Sequence, residues 1–109
     1  MVDVNLAQSK NEVNYCAALD QLKVGYDQQV NLGLWGLRGS QKIDILAYTA
    51  PRPTAIFIQG RYWHNAKTSV EDTLKQLAAE DAGYRVVTAT EEESDTVDAA
   101  VAHARRNVL

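Results

Sequence analysis

Apolar and polar positions alternate along this chain with two periods, one near three to four residues and one near two. Ser9-Lys10-Asn11-Glu12 has the spacing of a capping box, and Val13, Cys16, Leu19 and Leu22 then recur every three residues. Together they predict a helix from Ser9 to about Leu22, with Gly25 as its stop. Tyr26–Leu32 predicts a first strand, with Val30 and Leu32 on one face. Residues 31–40 carry three glycines and read as a hairpin tip or a mobile loop. Lys42–Tyr48 predicts a second strand. Ala50-Pro51-Arg52-Pro53 must be a turn, because two prolines do not fit a central ladder. Thr54–Gln59 predicts a third strand, and its run Ala55-Ile56-Phe57-Ile58 is apolar at consecutive positions, so both faces should be buried.

The second half repeats these signals. A helix is expected from Thr68 or Ser69, since Thr68 and Glu71 have capping-box spacing; Val70, Leu74, Leu77 and Ala78 line one face and Gly83 stops it. Tyr84–Thr90 is rich in β-branched residues and predicts a fourth strand. Glu91–Asp95 is an acidic connector. Ser94 or Asp95 then caps a last helix carrying Val97, Ala100, Val101, Ala104 and Val108, with Arg105 and Arg106 favourably placed at the negative end of its dipole. The order is helix, three strands, helix, strand, helix. Three strands joined by short connections suggest an antiparallel meander, and a strand reached through a helix can pair in parallel. The expected class is α/β (α+β), with a mixed four-stranded sheet covered by helices. Residues 1–109 form one domain, with 1–8 loosely held.

Composition narrows the chemistry. Charged residues make up 23 % of the chain, and the formal net charge is −3, which counts against broad nonspecific affinity for DNA. The charge is unevenly spread: Lys42, Arg52, Arg61 and Lys67 cluster centrally, while acids crowd residues 71–81 and 91–98. The single cysteine, Cys16, allows no internal disulfide and is expected to pack in a helix face. Cys16, His64 and His103 lack zinc-ligand spacing. No apolar run approaches the ~20 residues of a membrane span. The opening MVDVNLAQSKNE lacks the blocks of a signal peptide, which points to the cytoplasm.

The candidate chemistry lies in Lys42–His64. An acid, Asp44, sits on the second strand, and a polar triplet, Gln59-Gly60-Arg61, closes the third. The order of elements and four sets of residues resemble the PD-(D/E)XK nuclease superfamily, nearest to small very-short-patch-repair-like and restriction-endonuclease-like proteins. The four sets are Glu12 on the first helix; Lys42-Ile43-Asp44; Ile56-Phe57-Ile58-Gln59-Gly60-Arg61-Tyr62-Trp63-His64; and Ala82-Gly83-Tyr84-Arg85-Val86-Val87 followed by Glu91. The family usually has an acid, one residue, then lysine where this chain has Gln59-Gly60-Arg61, and proline where it has Ile43.

The resemblance implies an αβββαβ core, restriction-endonuclease-like, and Mg²⁺-dependent hydrolysis of DNA phosphodiesters, with Mn²⁺ as a substitute ion. Mg²⁺ prefers oxygen ligands. Asp44, the Gln59 amide oxygen and the backbone carbonyl of Ile58 are the implied ligands, with Glu12 adding a carboxylate directly or through water. Arg61 would contact the scissile phosphate, His64 would move a proton, and Lys42, Arg52 and Lys67 would contact the nucleic-acid backbone. Each residue also has a structural reading. Asp44 can face solvent at an edge, Glu12 can serve only as the capping partner of Ser9, and Gln59 can hydrogen-bond across the sheet. Arg61 can pair with Asp44, and His64 can sit solvated in a loop. Trp35 and Trp63 can cover the core or make a contact surface. Two further functions follow: a catalytically inactive nuclease-fold protein that binds DNA or a protein partner, and an α/β interaction domain. A chain this small does not easily enclose a duplex, so a homodimer or a subunit of a larger assembly is expected.

Overall fold

The computed structural model describes residues 10–31, 42–59 and 66–109, with side chains described for 10–30, 42–59 and 73–109. Its described elements are α1 (Lys10–Gln21), β1 (Tyr26–Asn31), β2 (Lys42–Ala47), β3 (Thr54–Gln59), α2 (Ala66–Asp81), β4 (Arg85–Thr90) and α3 (Val97–Asn107), with a 3-10 turn at Glu92–Ser94. The sheet order is β1-β2-β3-β4. β1–β2 and β2–β3 are antiparallel, and β3–β4 is parallel through the α2 crossover. This is the expected α/β class, a mixed four-stranded sheet with helices, closed by a C-terminal helix.

The sheet buries both faces. Ile45, Ala47, Ile56 and Ala89 pack with Tyr15 and Leu19 of α1 and Ala100 and Ala104 of α3. On the other face Leu46, Ala55 and Phe57 pack with Ala79 of α2. Thr54 to Phe57 are buried at four consecutive positions, as a central strand between two helical layers requires. Each fully buried aliphatic side chain, such as Ile45 or Ile56, contributes about 1.5–3 kcal/mol through the area it removes from water.

Several local readings of the sequence change. Val13 is half exposed, and the buried face of α1 is instead Glu12, Tyr15, Cys16, Ala18 and Leu19. That set follows the 3.6-residue period more closely than a strict spacing of three. Lys23, not Gly25, takes the left-handed position that ends α1, with φ 61°. The Val24 N–H reaches the Leu19 carbonyl at 2.9 Å and the Lys23 N–H reaches that of Asp20 at 3.1 Å, the two bonds of a Schellman end. Gly83 ends α2 in the same manner, with φ 98°. α2 begins at Ala66, ahead of the expected start at Thr68 or Ser69. Leu74 and Leu77 are about half exposed, while Ala79 is fully buried. The cap of α3 is Thr96, whose Oγ1 accepts from the Ala99 N–H at 3.1 Å, and not Ser94 or Asp95. Ser94 is buried instead, donating to the Thr90 carbonyl at 2.9 Å and receiving the Asn11 amide at 3.0 Å. These bonds tie α1 to the turn that precedes α3.

Candidate functional site

The hydrogen-bonded ladder between β2 and β3 pairs Ala47 with Thr54, Leu46 with Ala55 and Ile45 with Ile56, and ends there. Continued, it would set Asp44 against Phe57. Instead the Asp44 side chain enters the gap, and its Oδ2 accepts from the Ile58 N–H at 2.8 Å. A carboxylate thus stands where a backbone carbonyl of β2 would otherwise have been. In an extended strand a residue's N–H and C=O point to the same side, so the Ile58 carbonyl faces the same opening.

The sheet changes face at this level. Ile45 packs toward α1 and α3, yet Ile43, two residues away, packs with Leu46 and Phe57 on the α2 side. A regular pleat would keep Ile43 and Ile45 on one face. β1 does the same beside it: the Gln28 amide donates to Cys16 Sγ of α1 at 2.8 Å, while Val30 packs with the α2-side cluster. The register is unbroken on both sides, with Gln28 opposite Ile45 and Val30 opposite Ile43. Gln29 and Asp44 are therefore the opposed pair at which both strands turn over. Gln29 carries the turn in its backbone, with φ 53°, a left-handed conformation uncommon for a non-glycine residue.

Glu12 reaches this point from α1. The residue is only 8 % exposed, and the Gln29 Nε2 donates to its two carboxylate oxygens at 3.3 and 3.2 Å. Glu12 is thus more than a helix-capping residue: it is a buried carboxylate held against the strand position opposite Asp44. Burial of a carboxylate is tolerated where donors satisfy it.

The other candidates divide by position. Lys42 is exposed at the start of β2, paired with Asn31, two residues from Asp44. Gln59 is half-buried at the end of β3, one residue past Ile58 and opposite Thr90. Arg52 is exposed in the turn at the other end of the β2–β3 hairpin from Asp44, where its carbonyl accepts from Thr49 Oγ1 at 2.7 Å. Arg61, His64, Trp35 and Trp63 lie outside the described residues, as do Ser9 and residues 1–8; Lys67 falls in the first turn of α2, and its side chain is not among those described. The structure therefore brings together Glu12, Gln29, Asp44 and Ile58, with Lys42 and Gln59 nearby, and sets Arg52 apart.

The donor set fits a hard divalent cation. Two carboxylates and a backbone carbonyl are oxygen ligands of the kind Mg²⁺ and Mn²⁺ take, with water completing the shell. Among the described residues no three of His, Cys, Asp and Glu gather as a metal-binding group. Any such ion would thus rely on neutral oxygens beside the two acids.

A second polar cluster is buried behind the sheet. The Tyr15 hydroxyl lies 2.7 Å from His103 Nδ1, and His103 Nε2 lies 3.0 Å from the Thr88 carbonyl. A carbonyl only accepts, so Nε2 carries the proton and Nδ1 accepts from Tyr15. Burial raises the Tyr15 phenol well above its ordinary value, and the nearby Glu93 carboxylate pushes the same way. Glu93 is itself held below the usual carboxylate range, chiefly by the Thr90 N–H that donates to it at 2.9 Å. From the sequence, His103 was marked only by its lack of zinc-ligand spacing to Cys16 and His64. Its place three residues after Ala100 and beside Ala104, in the buried stripe of α3, was the signal that it belongs to the core.

No family model matches the chain, and no curated protein matches it. Among solved structures it is similar to one described as a protein of unknown function, AF1548, at 16 % identity and a TM-score of 0.49. The match covers 75 % of this chain and spans about half, 48 %, of that chain. Among the described residues no helix is long and apolar enough to cross a membrane.

Proposed function

We propose that this protein hydrolyses phosphodiester bonds of DNA with Mg²⁺, as a small endonuclease or nickase of the PD-(D/E)XK type. What carries the reading is the opening at the end of the β2–β3 ladder, where the Asp44 carboxylate replaces a strand partner beside Ile58. A carboxylate and a backbone carbonyl on adjoining strands, with a second buried carboxylate from α1, make an oxygen site of net negative charge. A divalent cation is the kind of ligand such oxygens take.

A divalent cation there supplies charge stabilisation at the phosphoryl oxygens and lowers the pKa of an attacking water. The chain's residues do the rest. Asp44 and the Ile58 carbonyl would hold the ion, and Glu12 would add charge directly or through water. Gln59, one residue along β3, offers an amide oxygen. Arg61 and His64 follow β3 in sequence: Arg61 contacts the scissile phosphate through its planar guanidinium, and His64 transfers a proton. Lys42 and Lys67 contact the DNA backbone, and a homodimer or larger assembly completes the grip on the duplex.

One observation favours a second reading, a nuclease-type fold that binds DNA without cleaving it. Phe57, buried, and Gln59, neutral, flank Ile58 on β3, so these β3 residues lend the site no charge. Plasmid nicking separates the two. Mg²⁺-dependent conversion of supercoiled DNA that disappears in Asp44→Asn supports hydrolysis. Salt-sensitive binding that survives Asp44→Asn, with no nicking by the wild type at any Mg²⁺ or Mn²⁺ concentration, replaces it with the binding reading.

A further inference from the structure

Gln29 combines three features that no single structural role explains. Its backbone is left-handed in the middle of an otherwise extended strand. It stands opposite Asp44, since the pairs on either side of it are Gln28 with Ile45 and Val30 with Ile43. Its amide nitrogen lies 3.3 and 3.2 Å from the two oxygens of the buried Glu12. A non-glycine residue held at positive φ is strained and persists where surrounding structure demands it. Glycine would remove that strain, and glycine would also remove the amide.

We infer that Gln29 is the positioning residue of the cation site: it fixes the Glu12 carboxylate at the level of Asp44, so that the two acids face one ion. The inference rests on the reading of Asp44 and Glu12 as that site. Opposed residues of an antiparallel pair have Cα atoms about 4.5–5.5 Å apart, so the residue that holds the Glu12 carboxylate stands beside Asp44. The chemistry of the clamp matters as much as its place. A lysine or arginine there would hold Glu12 equally well and would neutralise it. A neutral amide orients the carboxylate without adding a charge of its own. Donors of this kind, one step behind a ligand, typically change metal affinity 10- to 100-fold when removed.

The test is Mn²⁺ binding, followed by the electron paramagnetic resonance signal of the free ion. Wild type, Gln29→Met, Gln29→Gly and Asp44→Asn are compared, each with its urea unfolding midpoint. Methionine keeps the length of glutamine and lacks the donor; glycine lacks the donor and accepts the positive φ. Gln29→Met and Gln29→Gly should both bind Mn²⁺ about tenfold or more weakly, the glycine variant showing that the loss does not come from backbone strain. A purely structural residue would move the midpoint and leave the affinity alone. Binding by Gln29→Met within twofold of wild type, with Asp44→Asn unable to bind, would overturn the role of Gln29 and leave the site standing. Loss in Gln29→Met but not in Gln29→Gly would assign the effect to the bulk of methionine, and overturn it too. Wild type that binds no better than Asp44→Asn would remove the site itself.

Discussion

Asp44→Ala and Asp44→Asn separate what the carboxylate does for the fold from what it does for the site. In the wild type the Ile58 N–H, part-buried at the end of β3, donates to Asp44 Oδ2 at 2.8 Å. Hydrogen bonds to a charged acceptor contribute about 1.5–3 kcal/mol, and partial access of water to Ile58 favours the lower end. Alanine leaves that amide without its acceptor, so Asp44→Ala should destabilise by about 1.5 kcal/mol. At roughly 4–8 °C per kcal/mol for a domain near this size, the midpoint falls about 6–12 °C. Asparagine keeps an oxygen on the same stem and retains the bond without its charge, so Asp44→Asn should cost about 1 kcal/mol or less. Both variants should lose Mg²⁺-dependent nicking entirely. Urea unfolding followed by circular dichroism measures the first effect, and plasmid relaxation the second. Asp44→Ala within about 0.5 kcal/mol of wild type, the range of an ordinary surface change, would refute the assignment of Asp44 to the gap between the strands. An Asp44→Asn protein as unstable as Asp44→Ala would refute it equally.

Other expectations follow from the same structure. Tyr15→Phe deprives the buried His103 Nδ1 of its donor and should lower stability by about 1–3 kcal/mol in urea titration; an unchanged midpoint would contradict the tautomer assigned here. Lys23→Gly places the residue best suited to φ 61° at the end of α1 and should stabilise by about 0.5–1 kcal/mol; differential scanning calorimetry would show a lowered midpoint if the Schellman end is wrong. Glu93 is depressed in the folded state by the Thr90 N–H first. Its contribution to stability is therefore full above the unfolded value near pH ~4.3 and is lost as pH falls through the lower folded value. Glu93→Gln should flatten that part of the acid unfolding curve, and an identical acid limb in both proteins would exclude the contribution.

The sheet and its order were legible because they rest on long-period signals. The apolar run Ala55–Ile58, the prolines at 51 and 53 and the β-branched Arg85–Thr90 leave few alternatives to a meander followed by a crossover strand. Details set by one backbone angle were not. Nothing in the sequence separates Lys23 from Gly25 as the left-handed residue, because both follow the last apolar position of the helix. The face of α1 was misread for a related reason. A spacing of three picks Val13, whereas the turn of a real helix carries Tyr15 and Ala18 inward and leaves Val13 half in water. Asp44 stood out as an acid among isoleucines, where burial demands a partner. Gln29 did not stand out, since its importance lies in a positive φ and in the register that sets it opposite Asp44. Glu12 was visible, but its capping role offered a complete alternative until its amide partner on β1 was seen.

The proposed activity requires the space between Asp44 and Ile58 to be a divalent-cation site. A crystal structure grown with saturating Mn²⁺, with data collected at the manganese edge, tests it most directly. The predicted result is one anomalous peak about 2 Å from an Asp44 carboxylate oxygen and from the Ile58 carbonyl oxygen, with Glu12 in contact directly or through a water. An empty gap under those conditions, with Asp44 still bound to the Ile58 N–H, would contradict it.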